Sequence, residues 1–159
     1  MMPLVRQINT MSADMITGTN IELPDAAITL TRTNSLSILA STDIPWEVKT
    51  RGQNITGTPT DVTIPAEGYY HIQLMFTTAA NVLMNIELVY NGTSLGRIGQ
   101  TWTTQNYHYA NTLRYLFVND IIRLRVTPSA ATTISVVNEF ALTASPILHV
   151  VQVARQALT

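Results

Sequence analysis

DVTIPAEGYYHIQLMF, residues 61–76, decides the fold of this 159-residue chain. It reads as a short strand, a turn at Pro65-Ala66-Glu67-Gly68, and a longer strand in which Tyr70, Ile72, Leu74 and Phe76 share one parity. That parity is apolar throughout. The other carries Tyr69, His71, Gln73 and Met75, too mixed for open solvent and too polar for a closed core. Side chains alternate between faces, so a slip of one residue would exchange the two sets and the register is fixed. Such a strand needs a packed core on one side and a second, partly dry surface on the other.

The same alternation extends both ways. Upstream, Ala27-Ile28-Thr29-Leu30-Thr31, Ser35-Leu36-Ser37-Ile38-Leu39 and Ile44–Lys49 read as strands, the last with Ile44, Trp46 and Val48 on one face. Arg51–Thr60, RGQNITGTPT, has the Gly, Asn and Pro content of a loop. Downstream, Leu83–Tyr90 runs into Asn91-Gly92, a pair that tolerates positive φ at both positions and so predicts a hairpin back through Thr93–Thr103. Gln105–Val118 carries Tyr107, Tyr109, Leu113, Tyr115 and Phe117. Asn119-Asp120 turns the chain into Ile121–Thr127, with Ile122, Leu124 and Val126 in and Arg123 and Arg125 out, on a solvated or ion-paired face. Thr132–Val137, Glu139–Leu142 and Ile147–Val153 follow. No segment has a helical period. Roughly ten short strands at regular turn spacing indicate an all-β sandwich or barrel. The domain spans 26–153, between an arm of residues 1–25 and a tail of residues 154–159. The arm has neither period, yet Leu4, Val5, Ile8, Met11, Met15 and Ile16 are more apolar matter than a solvated tail needs. A frayed terminus and an arm ordered by a partner both remain open.

Composition narrows the function. Charged residues make up 12% of the chain against about 25% in an ordinary domain, while 46% is hydrophobic. Little ionic surface implies that part of it is hidden in an assembly. The formal net charge of −1 and the single lysine, Lys49, leave no field to attract nucleic acid or anionic lipid. With no cysteine there is neither a disulfide framework nor a thiolate metal site. No signal-peptide-like stretch opens the chain and no apolar run approaches membrane-spanning length, which sets the expectation of synthesis in a cytoplasm. The sequons at Asn54 and Asn91 are about what a chain rich in Asn and Thr shows by chance.

Catalytic groups are sparse. His71, His108 and His149 each sit in a strand-like run without the carboxylate or nucleophile neighbour of a triad, and no nucleophile elbow, phosphate loop or zinc-protease helix occurs. Asp43, Asp61, Glu67 and Asp120 lie near turns, where shaping the backbone is the usual work of an acid. The expectation is no enzyme, no cofactor and no resident metal. His71 and His149 can line a shared axis and hold an ion, or serve as hydrogen-bonded interface histidines. Trp102, Tyr107 and Tyr109 can stack on sugar rings or pack in a core or interface.

A family resemblance lies in three stretches. Thr63-Ile64-Pro65-Ala66-Glu67-Gly68-Tyr69-Tyr70-His71-Ile72 resembles the Pro-x-x-Gly-x-Tyr-x-Phe signature of the tumour necrosis factor and complement globular-head jelly rolls, with Ile72 in place of the usual aromatic. Val89-Tyr90-Asn91-Gly92 resembles the family's hairpin. Leu116-Phe117-Val118-Asn119-Asp120-Ile121-Ile122-Arg123-Leu124 resembles its Leu-x-x-Gly-Asp-x-Val-x-Leu segment, with Asn119 at the usual Gly. Ala144-Ser145-Pro146-Ile147-Leu148 follows the closing family strand only loosely. The resemblance implies a two-sheet jelly roll forming compact homotrimers, one sheet of each subunit facing the threefold axis. Tyr69, His71, Gln73, Met75 and His149 are then the expected trimer interface. Taken with the low charge and the apolar arm, the expected function is a non-enzymatic virion protein, a capsid decoration or cement protein of phage type. Its arm would grip the major capsid protein on the outer shell, without nucleic-acid or membrane partners. The alternative is a receptor-binding tip of a tail fibre that recognises cell-surface glycan.

Overall fold

The computed structural model describes residues 26–53, 56–57, 59–101, 106–136 and 146–154. Within them the chain forms β1 (Ala27–Thr31), β2 (Leu36–Ile38), β3 (Thr42–Asp43), β4 (Val48–Gln53), β5 (Thr56–Gly57), β6 (Val62–Thr63), β7 (Gly68–Thr78), β8 (Met84–Tyr90), β9 (Thr93–Thr101), β10 (Tyr107–Leu116), β11 (Ile121–Pro128), β12 (Thr132–Ser135) and β13 (Ile147–Ala154). Among the described residues these strands make two antiparallel sheets. One runs β2-β12-β7-β13-β1-β4 with β10 on the far side of β7, and the other runs β5-β6-β11-β8-β9 with β3 on β11. The predicted arm and the strand expected at Glu139–Leu142 lie outside the described residues.

The two sheets face each other across the core that the alternation predicts. Tyr70, Ile72, Leu74 and Phe76 of β7 are buried against Met84, Ile86 and Leu88 of β8 and Ile122, Leu124 and Val126 of β11. The Tyr70 hydroxyl, drawn into the core by its ring, donates to the Ala66 carbonyl at 2.8 Å, which ties the turn at 65–68 to the strand it begins. Burial pushes the pKa of that phenol up. Asn91 and Gly92 take φ of 47° and 83° as the hairpin requires, and Asn119 takes φ of 69°. Asp120 joins the two turns: its carboxylate accepts from Asn91 Nδ2 at 3.0 Å and from the Phe117 amide at 2.6 Å.

Two expectations need correction. Ile44–Lys49 is not one strand, because the chain crosses between sheets there. The Ile44 amide donates to Leu124 of β11, the Trp46 amide to Pro59, and the Glu47 amide to Thr31 of β1. Pro45 has no amide to give to a ladder, and β4 begins only at Val48. Ile44 and Trp46 nevertheless point inward, with 0% and 4% of their surface exposed. Residues 51–60, expected as loop, contain the end of β4 and all of β5. Each lies at the edge of its sheet, where Gly and Thr can join a ladder.

At one corner the sheets come into direct contact. A Cβ added to Gly99 of β9 would lie 2.5 Å from the Ala110 Cβ of β10. Small residues at both positions let the edge strand of each sheet close the barrel-like side of the sandwich.

Candidate oligomerisation face

β7 lies between β10 and β13, and the registers fix what surrounds each of its outward side chains. Met75 is opposite Tyr109 on one side and Ile147 on the other; Gln73 is opposite Asn111 and His149; His71 is opposite Leu113 and Val151; Tyr69 is opposite Tyr115. β1 extends the surface with Thr29 opposite His149. The five residues expected at a trimer interface are thus brought together on the outer face of one sheet, all of intermediate exposure.

Polar groups on this face bond to each other. The Tyr109 hydroxyl accepts from Gln73 Nε2 at 3.4 Å and from Asn111 Nδ2 at 2.9 Å. His149 Nδ1 bonds to the Thr29 hydroxyl at 3.0 Å. At the Gly68 end, Tyr69 meets Tyr115 edge-on at 5.1 Å and Tyr115 meets Phe117 edge-on at 5.4 Å. The face is greasy: Tyr107, Leu113, Phe117 and Val153 each leave about half of their surface uncovered.

The described outward-parity residues of β7, β10, β13 and β1 are uncharged at neutral pH, and the exposed charge on these strands is Arg114, on the other parity of the edge strand β10. The other sheet is the reverse. Its outer face holds two ion pairs, Arg123 on Asp61 and Arg125 on Asp43, the second at 2.6 Å. Arg123 holds the Asp61 carboxyl below its ordinary pKa, and the two guanidinium groups are in turn held more firmly protonated by their acids. One sheet thus presents a largely apolar outer face and the other an ion-paired one.

β10 is the contribution that the sequence conceals. Its larger and more apolar parity, Tyr107, Tyr109, Leu113 and Tyr115, faces outward, while His108, Ala110 and Leu116 are buried. The alternation gives the strand but not its inner side, which is set by the Gly99 contact at Ala110. His108 is stacked on Phe76 at 4.8 Å and bonded to the Thr78 hydroxyl at 2.8 Å. Desolvation lowers its pKa to about 4. It is a core group, far from the outward histidines in role as well as side.

The remaining candidates are distributed as turn or surface residues. Asp43 and Asp61 hold arginines, Asp120 holds turns, and Glu67 is exposed. Among the described residues no three histidine or acidic side chains gather closely enough to hold a metal ion. Trp102 and the arm residues Leu4, Val5, Ile8, Met11, Met15 and Ile16 lie outside the described residues.

No family model and no curated protein matches the chain by sequence. By structure it is similar to murine APRIL, with a TM-score of 0.56, 18% identity, and 80% of this chain and 98% of that chain covered. The globular domain of zebrafish complement 1qA gives a TM-score of 0.57 at 8% identity, covering 82% of this chain and 99% of that one. Eiger TNF from S. frugiperda gives 0.54 at 17% identity, covering 86% and 98%. The fold is therefore the TNF-like, complement-head-like jelly roll that the motifs around Gly68, Asn91 and Asn119 predict.

Proposed function

We propose that the protein is a non-enzymatic structural component of a virion, a homotrimeric decoration protein that binds the major capsid protein on the outer surface of an assembled shell. The observation that carries the trimer is the uncharged, half-covered face built by β7, β10 and β13. Interface cores are depleted in charge and enriched in Tyr and Met, and Tyr69, His71, Gln73, Met75 and His149 occupy its middle. The arm enters β1 at Ala26, whose carbonyl accepts from the Gln152 amide at 2.8 Å, close to the Tyr69 end of the face. Threefold symmetry then sends three arms out from equivalent positions. Three arms of apolar residues, each with modest affinity, bind a multivalent shell by avidity. A ligand that recognises only the assembled shell raises its resistance to rupture. Synthesis in a host cytoplasm and residence on the virion belong to the same reading.

The test is to incubate the full chain, and a chain lacking residues 1–25, with bare shells and image where density is added. Added density in regular positions with the full chain, and its loss without the arm, is the expected result. The half-exposed Tyr107 and the neighbouring Tyr109 on β10 favour a second reading, a fibre tip that stacks on glycan. Retention on a glycan array with no binding to shells would establish that reading in place of the first.

A further inference from the structure

The hairpin between β8 and β9 contains the chain's one Asn-Gly pair, Asn91-Gly92. A residue without Cβ leaves its amide nitrogen open to close approach. Attack of the Gly92 nitrogen on the Asn91 Cγ would close a five-membered ring, an intramolecular reaction that proximity favours. Both residues are exposed, and a Cβ added to Gly92 would meet no atom within 4 Å, so water reaches the turn freely. The folded chain nevertheless holds the carboxamide in place. Asn91 Oδ1 accepts from the Ile121 amide at 2.8 Å and Nδ2 donates to Asp120 Oδ1 at 3.0 Å, so both ends of the planar group are tied to the neighbouring turn. The Asn91 amide donates to the Ile121 carbonyl at 2.8 Å and fixes the backbone beside it. Asp120 is itself buried, accepts from the Phe117 amide at 2.6 Å, and bonds the Tyr90 hydroxyl, whose pKa it pushes up. Turning the Asn91 carbonyl toward the Gly92 nitrogen breaks both side-chain bonds.

We propose that Asn91 is a site of spontaneous deamidation, held dormant by its bonds to Asp120 and Ile121 and released when the hairpin opens. The reaction needs only water. The Gly92 nitrogen gives up its proton and bonds to Asn91 Cγ, the Cγ–Nδ2 bond breaks, and Nδ2 leaves as ammonia. Water then opens the cyclic imide. Addition at the side-chain carbonyl gives aspartate, and addition at the main-chain carbonyl gives isoaspartate, with Gly92 now linked through Cγ. Neither product fits this turn. Aspartate puts a carboxylate oxygen where Nδ2 stood, 3.0 Å from Asp120 Oδ1, a contact between like charges. Isoaspartate adds one carbon to the backbone between Tyr90 and Thr93, which pair across the hairpin. The conversion is therefore one-way, because the bonds that held the turn cannot re-form. The hairpin belongs to the other sheet from the β7 face, so the site is independent of the trimer reading.

The test holds the full chain at pH 8, folded and in parallel unfolded in urea, in water enriched in heavy oxygen, which marks each new carboxylate. Peptide mapping by mass spectrometry then follows every asparagine. The unfolded chain should convert at Asn91 ahead of its other asparagines and yield isoaspartate there. Reaction through an opened hairpin scales with the population of the open form, so the folded chain should convert at least about tenfold more slowly. This comparison needs no variant. Asp120→Asn exchanges one acceptor oxygen for a donor amide, and losing a charge-assisted bond favours opening about tenfold to a hundredfold. The variant, shown to be folded by circular dichroism, should deamidate faster by that factor. Asn91→Asp, which is one of the two products, should lower the thermal midpoint by about 4–8 °C. Equal rates in the folded and unfolded wild type, or a folded Asp120→Asn protein that converts no faster than wild type, overturns the protection. An unfolded chain in which Asn91 lags behind other asparagines overturns the site, and an Asn91→Asp protein as stable as the wild type overturns the one-way step.

Discussion

His108 exchanges its water for the ring of Phe76 and the hydroxyl of Thr78, which itself lies 2.8 Å from the Ala80 carbonyl. With the threonine proton given to Ala80, the imidazole holds its own proton on Nε2 and donates it to Thr78. The folded protein thus binds the neutral ring. Because the folded pKa, about 4, is below that of the unfolded chain, stability is fully present above about pH 6.5 and is lost as pH falls toward 4. The loss is at most about 3 kcal/mol. Urea unfolding at pH 7.5 and 4.5 should show it, and His108→Phe, which keeps the stacking, should flatten that part of the profile. Gly99 is a second residue whose role is purely spatial. Gly99→Ala places a methyl against the Cβ and Cα of Ala110, at 2.5 and 3.2 Å, neither of which can swing away. A loss of about 2 kcal/mol is expected, or about 4–8 °C in thermal midpoint, with part of it recovered by adding Ala110→Gly. Neither role is legible in the sequence, where His108 and Ala110 sit among larger tyrosines and the partner Gly99 is remote.

Among the elements, those built on one strong rule could be read and those shaped by tertiary geometry could not. β7, β8 and β11 alternate cleanly, and the turns at Asn91-Gly92 and Asn119 need positive φ that Asn and Gly supply. The 44–47 segment has the same alternation as a strand, but alternation reports burial and not ladder pairing. Ile44 and Trp46 are buried while the backbone between them passes from one sheet to the other. The turn between β1 and β2 shows a local device instead. Glu47 Oε2 accepts from the Thr33 hydroxyl at 2.7 Å, the Thr33 amide at 2.9 Å and the Asn34 amide at 3.0 Å, and Oε1 meets Arg32 at 2.8 Å. These bonds, the Thr33 hydroxyl foremost, lower the carboxyl to about 2. Its contribution is present above about pH 4.5 and is lost as pH falls through 2. Glu47→Gln should therefore weaken the protein at pH 7 and remove the part of its acid unfolding that lies below the His108 window, as followed by circular dichroism between pH 5 and 2.

For the whole molecule, the decisive contrast is between the ion-paired outer face of one sheet and the uncharged outward parity of β7, β10, β13 and β1 in the other. The sequence supplied half of it: Tyr69, His71, Gln73 and Met75 share a parity whatever the fold, and Arg123 and Arg125 share another. What it could not supply is the neighbour on either side of β7, because β10 and β13 arrive from 30 and more positions away and their inner parity is set by contacts in three dimensions. Met75 tests the contrast most directly, lying between Tyr109 and Ile147 with Gln73 Nε2 4.0 Å from its sulfur. In the folded subunit it is only partly covered, so Met75→Glu can place its carboxylate in water and leave the subunit folded. In a closed trimer three such carboxylates would be desolvated together, each at a cost of about 3 kcal/mol or more. Light scattering should find folded subunits, or insoluble protein from the uncovered face, in place of the trimer proposed for the wild type. Leu95→Glu, at an exposed position on the opposite sheet, should leave the trimer intact. An unchanged trimer in the Met75 variant would take this face out of the interface, and the arrangement of arms and shell contacts would have to be rebuilt around another surface.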